Sequence, residues 1–250
     1  MNSTTVRNLL VRGMLAGLAA GVLALVVASL LGEPNVDSAI RFEAAHSHEH
    51  EPEVISRSLQ STAGLATGVL VYGVAFGGIA SLAFSFALGR VGRFGPRATA
   101  LLLSGCALLA VYVVPFLKYP ANPPSVGEPD TIGKRTALYF LMMLLSVLLA
   151  LAATILGKRL APRWGAWNAT VVAVVAFAVV IGVAYAVLPA VNEVPTGFPA
   201  TLLWRFRLSA LAIQTVLWGG FGLLFGGLAE RLLRPRAEAA TAGRAVPVEN

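Results

Sequence analysis

Six stretches of about twenty apolar residues alternate with short polar segments along the 250-residue chain, at about 11–31, 65–88, 99–116, 136–156, 170–188 and 208–228. Apart from Arg12 at the head of the first, none contains Asp, Glu, Lys, Arg or His. A helix needs about twenty such residues to cross a bilayer, so the pattern predicts an all-α polytopic membrane bundle of about six helices. The short connections predict a single transmembrane domain over 1–233. They include an extracytoplasmic loop at 32–57, and a polar, Ala-rich tail at 234–250 is expected to be disordered.

Small residues sharpen the picture. Gly13, Gly17 and Gly21 recur every fourth position in the first stretch, and Gly64/Gly68 and Gly73/Gly77 pair in the second. Such spacing lines a helix face with bare backbone and lets a neighbour approach closely. Arg7 and Arg12 stand at the head of the first apolar run as in a signal peptide, but its length favours an uncleaved helix. Pro115 predicts the end of the third helix, and four prolines between Tyr119 and Thr131 predict a stiff, shaped loop. Three more prolines give the segment after Leu188 the same character. Cys106, the one cysteine, reads as a packing residue.

Charge sets the orientation. Only 12% of residues are charged, and the net charge is +7. The basic residues punctuate apolar stretches instead of forming one patch, which argues against nucleic acid. With both termini cytoplasmic, inner segments hold twelve of the 19 Lys and Arg residues, and the bias alternates correctly through every loop. The expected location is the cytoplasmic (inner) membrane, among lipid.

Candidate chemistry concentrates in the first connection. Residues 32–57 hold all three histidines, His46, His48 and His50, and six of the 12 carboxylates, among them Glu43, Glu49 and Glu51. Imidazole with carboxylate suits borderline divalent ions, so these six residues form the candidate metal site. The histidines stand at i, i+2 and i+4, and at least two converge whether the backbone is extended or helical. The plainer alternative is a solvated acidic loop.

The outer connections also share a theme: Gly32-Glu33-Pro34 with Arg57, Gly127-Glu128-Pro129 with Arg135, and Asn192-Glu193-Val194-Pro195 with Arg207. If they reflect three equivalent hairpins, Glu33, Glu128 and Glu193 converge at a central mouth; otherwise each carboxylate pairs with a nearby arginine. Candidate entry and rim residues are therefore Glu33, Asp37, Asn122, Glu128, Arg135, Glu193 and Arg207. No phosphate-binding glycine loop or Ser/His/Asp set is present, so neither an ATPase nor another enzyme is expected. The uncharged span interiors argue against proton-coupled antiport through a charged midplane. A path across the bundle would use backbone carbonyls at glycine-rich faces, hydroxyls and Gln214.

The strings LVRGMLAGLAAGVLALVVASLLGEPNVDSAIRFEAA, KYPANPPSVGEPDTIGKRTALYF and LPAVNEVPTGFPATLLWRFR, with LWGGFGLLFGGLAER, make the chain resemble the CbtA family of predicted cobalt transporter subunits over about residues 10–231. The resemblance implies cobalt uptake serving cobalamin synthesis and a small single-span, His-rich partner, CbtB. Its positions here are Glu33, Pro34, Asp37 and Glu43; Lys118, Tyr119, Asn122, Pro123, Gly127, Thr131 and Arg135; and Asn192, Glu193, Trp204 and Arg207. The family is described with five spans against the six counted here.

The leading expectation is a membrane subunit of a divalent metal uptake transporter. No cofactor is expected to be permanently bound, the captured or transported ion being cobalt, with nickel or zinc as alternatives. Two other readings stand beside it: a substrate-binding membrane component of a separately energised complex, and a metal-binding scaffold or sensor without transport. Homo-oligomers are compatible with either.

Overall fold

The computed structural model describes residues 2–46 and 55–244. It is 85% helical, with no strand among the described residues. Five helices are long and apolar enough to cross a membrane: α1 Ser3–His46, α2 Arg57–Ala87, α3 Pro96–Lys118, α4 Ile132–Val187 and α5 Ala200–Arg244. Large apolar side chains stand exposed along them, among them Ile79 (71%), Phe86 (72%) and Val187 (77%). Water disfavours that arrangement and hydrocarbon does not, so the chain is a multi-pass membrane protein.

The six apolar stretches fall on these five helices because α4 carries two. Its 56 residues would extend about 84 Å if straight, far beyond a bilayer. It breaks at Gly165, whose φ of 77° and ψ of 158° lie where only glycine is at ease. The predicted fourth and fifth stretches lie on either side of that break.

Prolines expected to stop helices do not. Residues 33–46, taken as part of the loop at 32–57, are helical, and α3 continues past Pro115 to Lys118. The reason is local. A proline inside an α-helix clashes with the carbonyl four residues back. Here a π-helical turn precedes each proline, at Ala28–Gly32 before Pro34 and at Leu108–Val113 before Pro115. The widened turn closes with i→i+5 bonds, Glu33 N–H to Ala28 O and Val114 N–H to Leu109 O, and absorbs the proline without a break. At the other end, α5 is assigned as helix through Arg244. Alanine at 237, 239, 240 and 242 is the best helix former.

The chain forms two compact units, 1–26 with 57–105 and 215–250, and 27–56 with 106–214. In the first, Gly13, Gly17 and Gly21 of α1 face Gly73 and Gly77 of α2, as the spacing predicts. A Cβ built at Gly73 would lie 2.6 Å from Gly17 O, and one at Gly13 2.6 Å from Gly77 O. The two backbones touch, which is how helices associate where lipid removes the hydrophobic drive. Gly68 has nothing within 4 Å and takes no part. Phe76 meets Trp218 and Phe221 of α5 edge-on at 4.5 and 5.0 Å, and Phe84 meets Phe225 at 5.0 Å. At one end Arg12 donates to Leu228 O at 2.7 Å, and Glu230 pairs with Arg97 and Arg234.

The second unit holds every candidate rim residue. Its core joins buried Val114, Tyr119, Met142 and Ile181, and a second cluster joins Ala39 of α1 to Val126 and Phe198 in the loops after α3 and α4. Asn35 and Ser209 both donate to the Leu31 carbonyl, at 2.7 and 2.9 Å, fastening α1 beyond its π turn to α5.

Candidate functional site

The loops after α3 and α4 are held by side chains that satisfy backbone groups left over where helices end. Val187 is the last residue of α4, and the final carbonyls of a helix lack intrahelical donors. Lys118 Nζ donates to Tyr185 O at 2.8 Å, and the Tyr119 hydroxyl donates to Pro189 O at 2.9 Å. A cationic amine also suits the negative end of the helix dipole. Burial pushes the Tyr119 hydroxyl above the ordinary phenol pKa, so it stays a donor. Arg207 Nε and Nη2 donate to Ala121 O and Asn122 Oδ1, at 3.3 and 3.1 Å.

At the centre lies an ion pair. Glu193 accepts from Arg135 Nη1 at 2.6 Å through Oε2 and from the Thr131 hydroxyl at 2.5 Å through Oε1. The Glu193 side chain is 6% exposed and that of Arg135 28%. Charges this far from water persist only when paired and hydrogen-bonded. Both oxygens of Glu193 are engaged.

Gly127 makes the pair possible. Its φ of 135° excludes ordinary side chains, and a Cβ there would sit 2.6 Å from Arg135 Nη1 and 3.3 Å from Glu193 Oε2. Preceding it, Pro123 to Val126 form a turn closed by Val126 N–H to Pro123 O at 3.2 Å, with Ser125 at φ 62°. Gly127→Ala is therefore expected to push Arg135 off Glu193. The change should lower the melting temperature of the purified protein, whereas Gly133→Ala, with open space around it, should not.

Arg135 stands where three cavities meet. One of about 330 Å³ is lined by Tyr112, Phe116, Tyr119, Asn122, Arg135, Thr136 and Tyr139. One of about 220 Å³ is lined by Glu128, Thr131, Lys134, Arg135, Asn192 and Glu193. A third of about 20 Å³ shares residues with both and is walled by Tyr119, Asn122, Arg135, Glu193 and Arg207. Arg135 thus borders all three, the first of them aromatic in lining and the second bearing carboxylates.

The family model described as "Probable cobalt transporter subunit (CbtA)" matches residues 6–230. The chain belongs to the CbtA family. No curated protein and no solved structure matches it. CbtA is a family of transporter subunits and not of enzymes, and a transported cobalt ion is the cargo it implies.

Against that identity, the predicted residues divide. Asn122, Glu128, Arg135, Glu193 and Arg207 do line the cavities. Glu33 and Asp37 line none of them, lying on the helical continuation of α1. Among the described residues no three His, Cys, Asp or Glu side chains gather to hold a metal, so Glu33, Glu128 and Glu193 form no three-carboxylate mouth. Nor does Glu193 take the nearby arginine. Its partner is Arg135, 58 residues away, while Arg207 braces the loop after α3.

Of the six candidate metal ligands, His48, Glu49, His50 and Glu51 lie outside the described residues. His46 and Glu43 end α1, both exposed and three residues apart on one helix face. The His46 ring stacks on Phe42 at 4.1 Å, and its Nδ1 lies 2.8 Å from Phe42 O. A carbonyl accepts only, so Nδ1 is the donor in this contact and Nε2 is the nitrogen not engaged by it. Sequence reasoning missed the aromatic chamber, including Tyr112, Thr136 and Tyr139. Its signal was present as a ring-bearing helix end on each side of the proline-rich loop.

Proposed function

We propose that the protein is the membrane permease subunit of a cobalt uptake system, with both termini cytoplasmic and the loops after α1, α3 and α4's last turn facing out across the cytoplasmic membrane. The ion is captured by the segment bearing His46, His48 and His50, with Glu43, Glu49 and Glu51, and enters the bundle past Glu193. The observation that carries this reading is the Arg135–Glu193 pair at the small cavity that Arg207 also lines. A carboxylate almost closed to water and directly paired with a displaceable guanidinium suits a site where a divalent cation replaces Arg135 for a moment and moves on. The pair keeps the opening neutral when no ion is there, and Arg135 and Arg207 repel cations that do not engage Glu193. A small single-span His-rich subunit delivers or receives the metal.

The capture step has its own test. Replacing His46, His48 and His50 together by alanine should raise the cobalt concentration needed for half-maximal uptake by about ten-fold, with the maximal rate little changed. Uptake kinetics identical to wild type would remove the segment from the mechanism.

A further inference from the structure

The 330 Å³ chamber beside the ion pair has a character that cation entry does not explain. Its lining includes no acidic side chain. It offers donors instead. Arg135 commits Nη1 to Glu193 and keeps its other N–H groups, Asn122 has Oδ1 taken by Arg207 and so offers its amide NH₂, and Thr136 adds a hydroxyl. Arg135 and Thr136 belong to the first turns of α4, the positive end of a long helix. The residue at the N-cap, Thr131, donates its hydroxyl to Glu193 and does not cap that end. The rings of Tyr112, Phe116 and Tyr139 also line it.

We propose that this chamber binds a phosphate group. A tetrahedral oxyanion accepts from several directions at once, which matches a guanidinium, an amide and a hydroxyl converging on one space, and Arg pairs with phosphate especially well. The volume exceeds a bare phosphate, and the aromatic lining can take an attached apolar stem. The chamber lies where α3 ends and α4 begins, the depth at which aromatic rings and arginines meet headgroups in a bilayer. The phosphate therefore comes from an anionic phospholipid headgroup or from free phosphate. Neither source depends on how the metal travels, so this inference stands or falls apart from the transport reading.

The test is thermal melting of the full-length protein in a phosphorus-free maltoside detergent, titrated separately with inorganic phosphate and short-chain phosphatidylglycerol. A ligand that binds only the folded state raises Tm with its concentration. The comparison variant is Thr136→Glu, at an exposed position, which brings a carboxylate into the chamber and leaves Glu193 untouched. A rise in wild type that needs at least about ten-fold more ligand in Thr136→Glu supports the site. A response to phosphatidylglycerol alone assigns it to lipid; a response to inorganic phosphate assigns it to the solute. No rise with either ligand, or equal rises in wild type and Thr136→Glu, overturns it.

Discussion

Gly17→Ala is expected to disrupt the first unit more than any other single methyl group added to the chain. The new Cβ would lie 2.8 Å from Gly77 Cα and closer still to Gly73 O, both of them backbone that cannot rotate away. To restore ordinary contact, α1 and α2 must separate along the whole Gly13–Gly21 face, loosening the aromatic ladder between Phe76, Phe84 and α5 as well. Overpacking a close-packed contact costs about 1–3 kcal/mol when side chains can adjust, and here none can, so about 3 kcal/mol is the expected loss. The measurement is the melting temperature in detergent and the yield of monodisperse protein. Gly68→Ala, in open space on α2, is the control and should melt like wild type. Equal behaviour of the two variants would show that backbone contact between α1 and α2 does not hold the unit together.

Glu193→Gln comes second in size and bears directly on function. The substitution keeps the shape of the side chain and removes the charge, leaving Arg135, itself less than a third exposed, without its carboxylate. Breaking a buried pair by neutralising one partner costs about 3 kcal/mol, mostly as the uncompensated charge that remains. Thr131→Val removes only the second donor to Glu193 and should cost about 1 kcal/mol. If Glu193 merely fastens the loop after α4 to α4 itself, uptake should fall in step with folded protein in both variants. If it also meets the ion, Glu193→Gln loses transport at matched amounts of folded protein, while Thr131→Val retains it.

How much of this was legible beforehand depends on the kind of interaction. The apolar stretches were readable because a bilayer demands length and composition, and the glycine face because 3.6-residue geometry turns spacing into contact. The helix ends were not. Pro115 reads as a stop, yet the π turn before it lets the helix continue, as another does before Pro34. The basic segment at 157–167 separates two predicted stretches, but only Gly165 leaves helical geometry. Residues 33–46 were placed in a loop because they are polar, whereas helicity asks only for satisfied backbone bonds and the packing that Ala39 and Phe42 find against Phe198.

The site divides along the same line. Lys118, Tyr119, Arg135, Glu193 and Arg207 were identifiable as polar residues at the ends of apolar stretches. Their partners were not, because Arg135 with Glu193, Lys118 with Tyr185 and Arg207 with Asn122 lie 58, 67 and 85 residues apart. Proximity in sequence suggested Glu193 with Arg207. Helix ends needing donors for leftover carbonyls decided otherwise, drawing Lys118 and Tyr119 to the end of α4 and Arg207 to the loop after α3. The aromatic chamber likewise exists only once α3 and α4 lie side by side.

Passage of cobalt by Glu193 is tested by radiolabelled cobalt uptake into liposomes holding wild type or Glu193→Gln, with and without the small partner subunit, under an inside-negative potential. Wild type should show saturable uptake, competed more strongly by nickel than by magnesium, and Glu193→Gln uptake close to empty liposomes at equal folded protein. Cobalt that binds the protein but enters no liposome, with or without the partner, would contradict it and leave a capture subunit or sensor in its place.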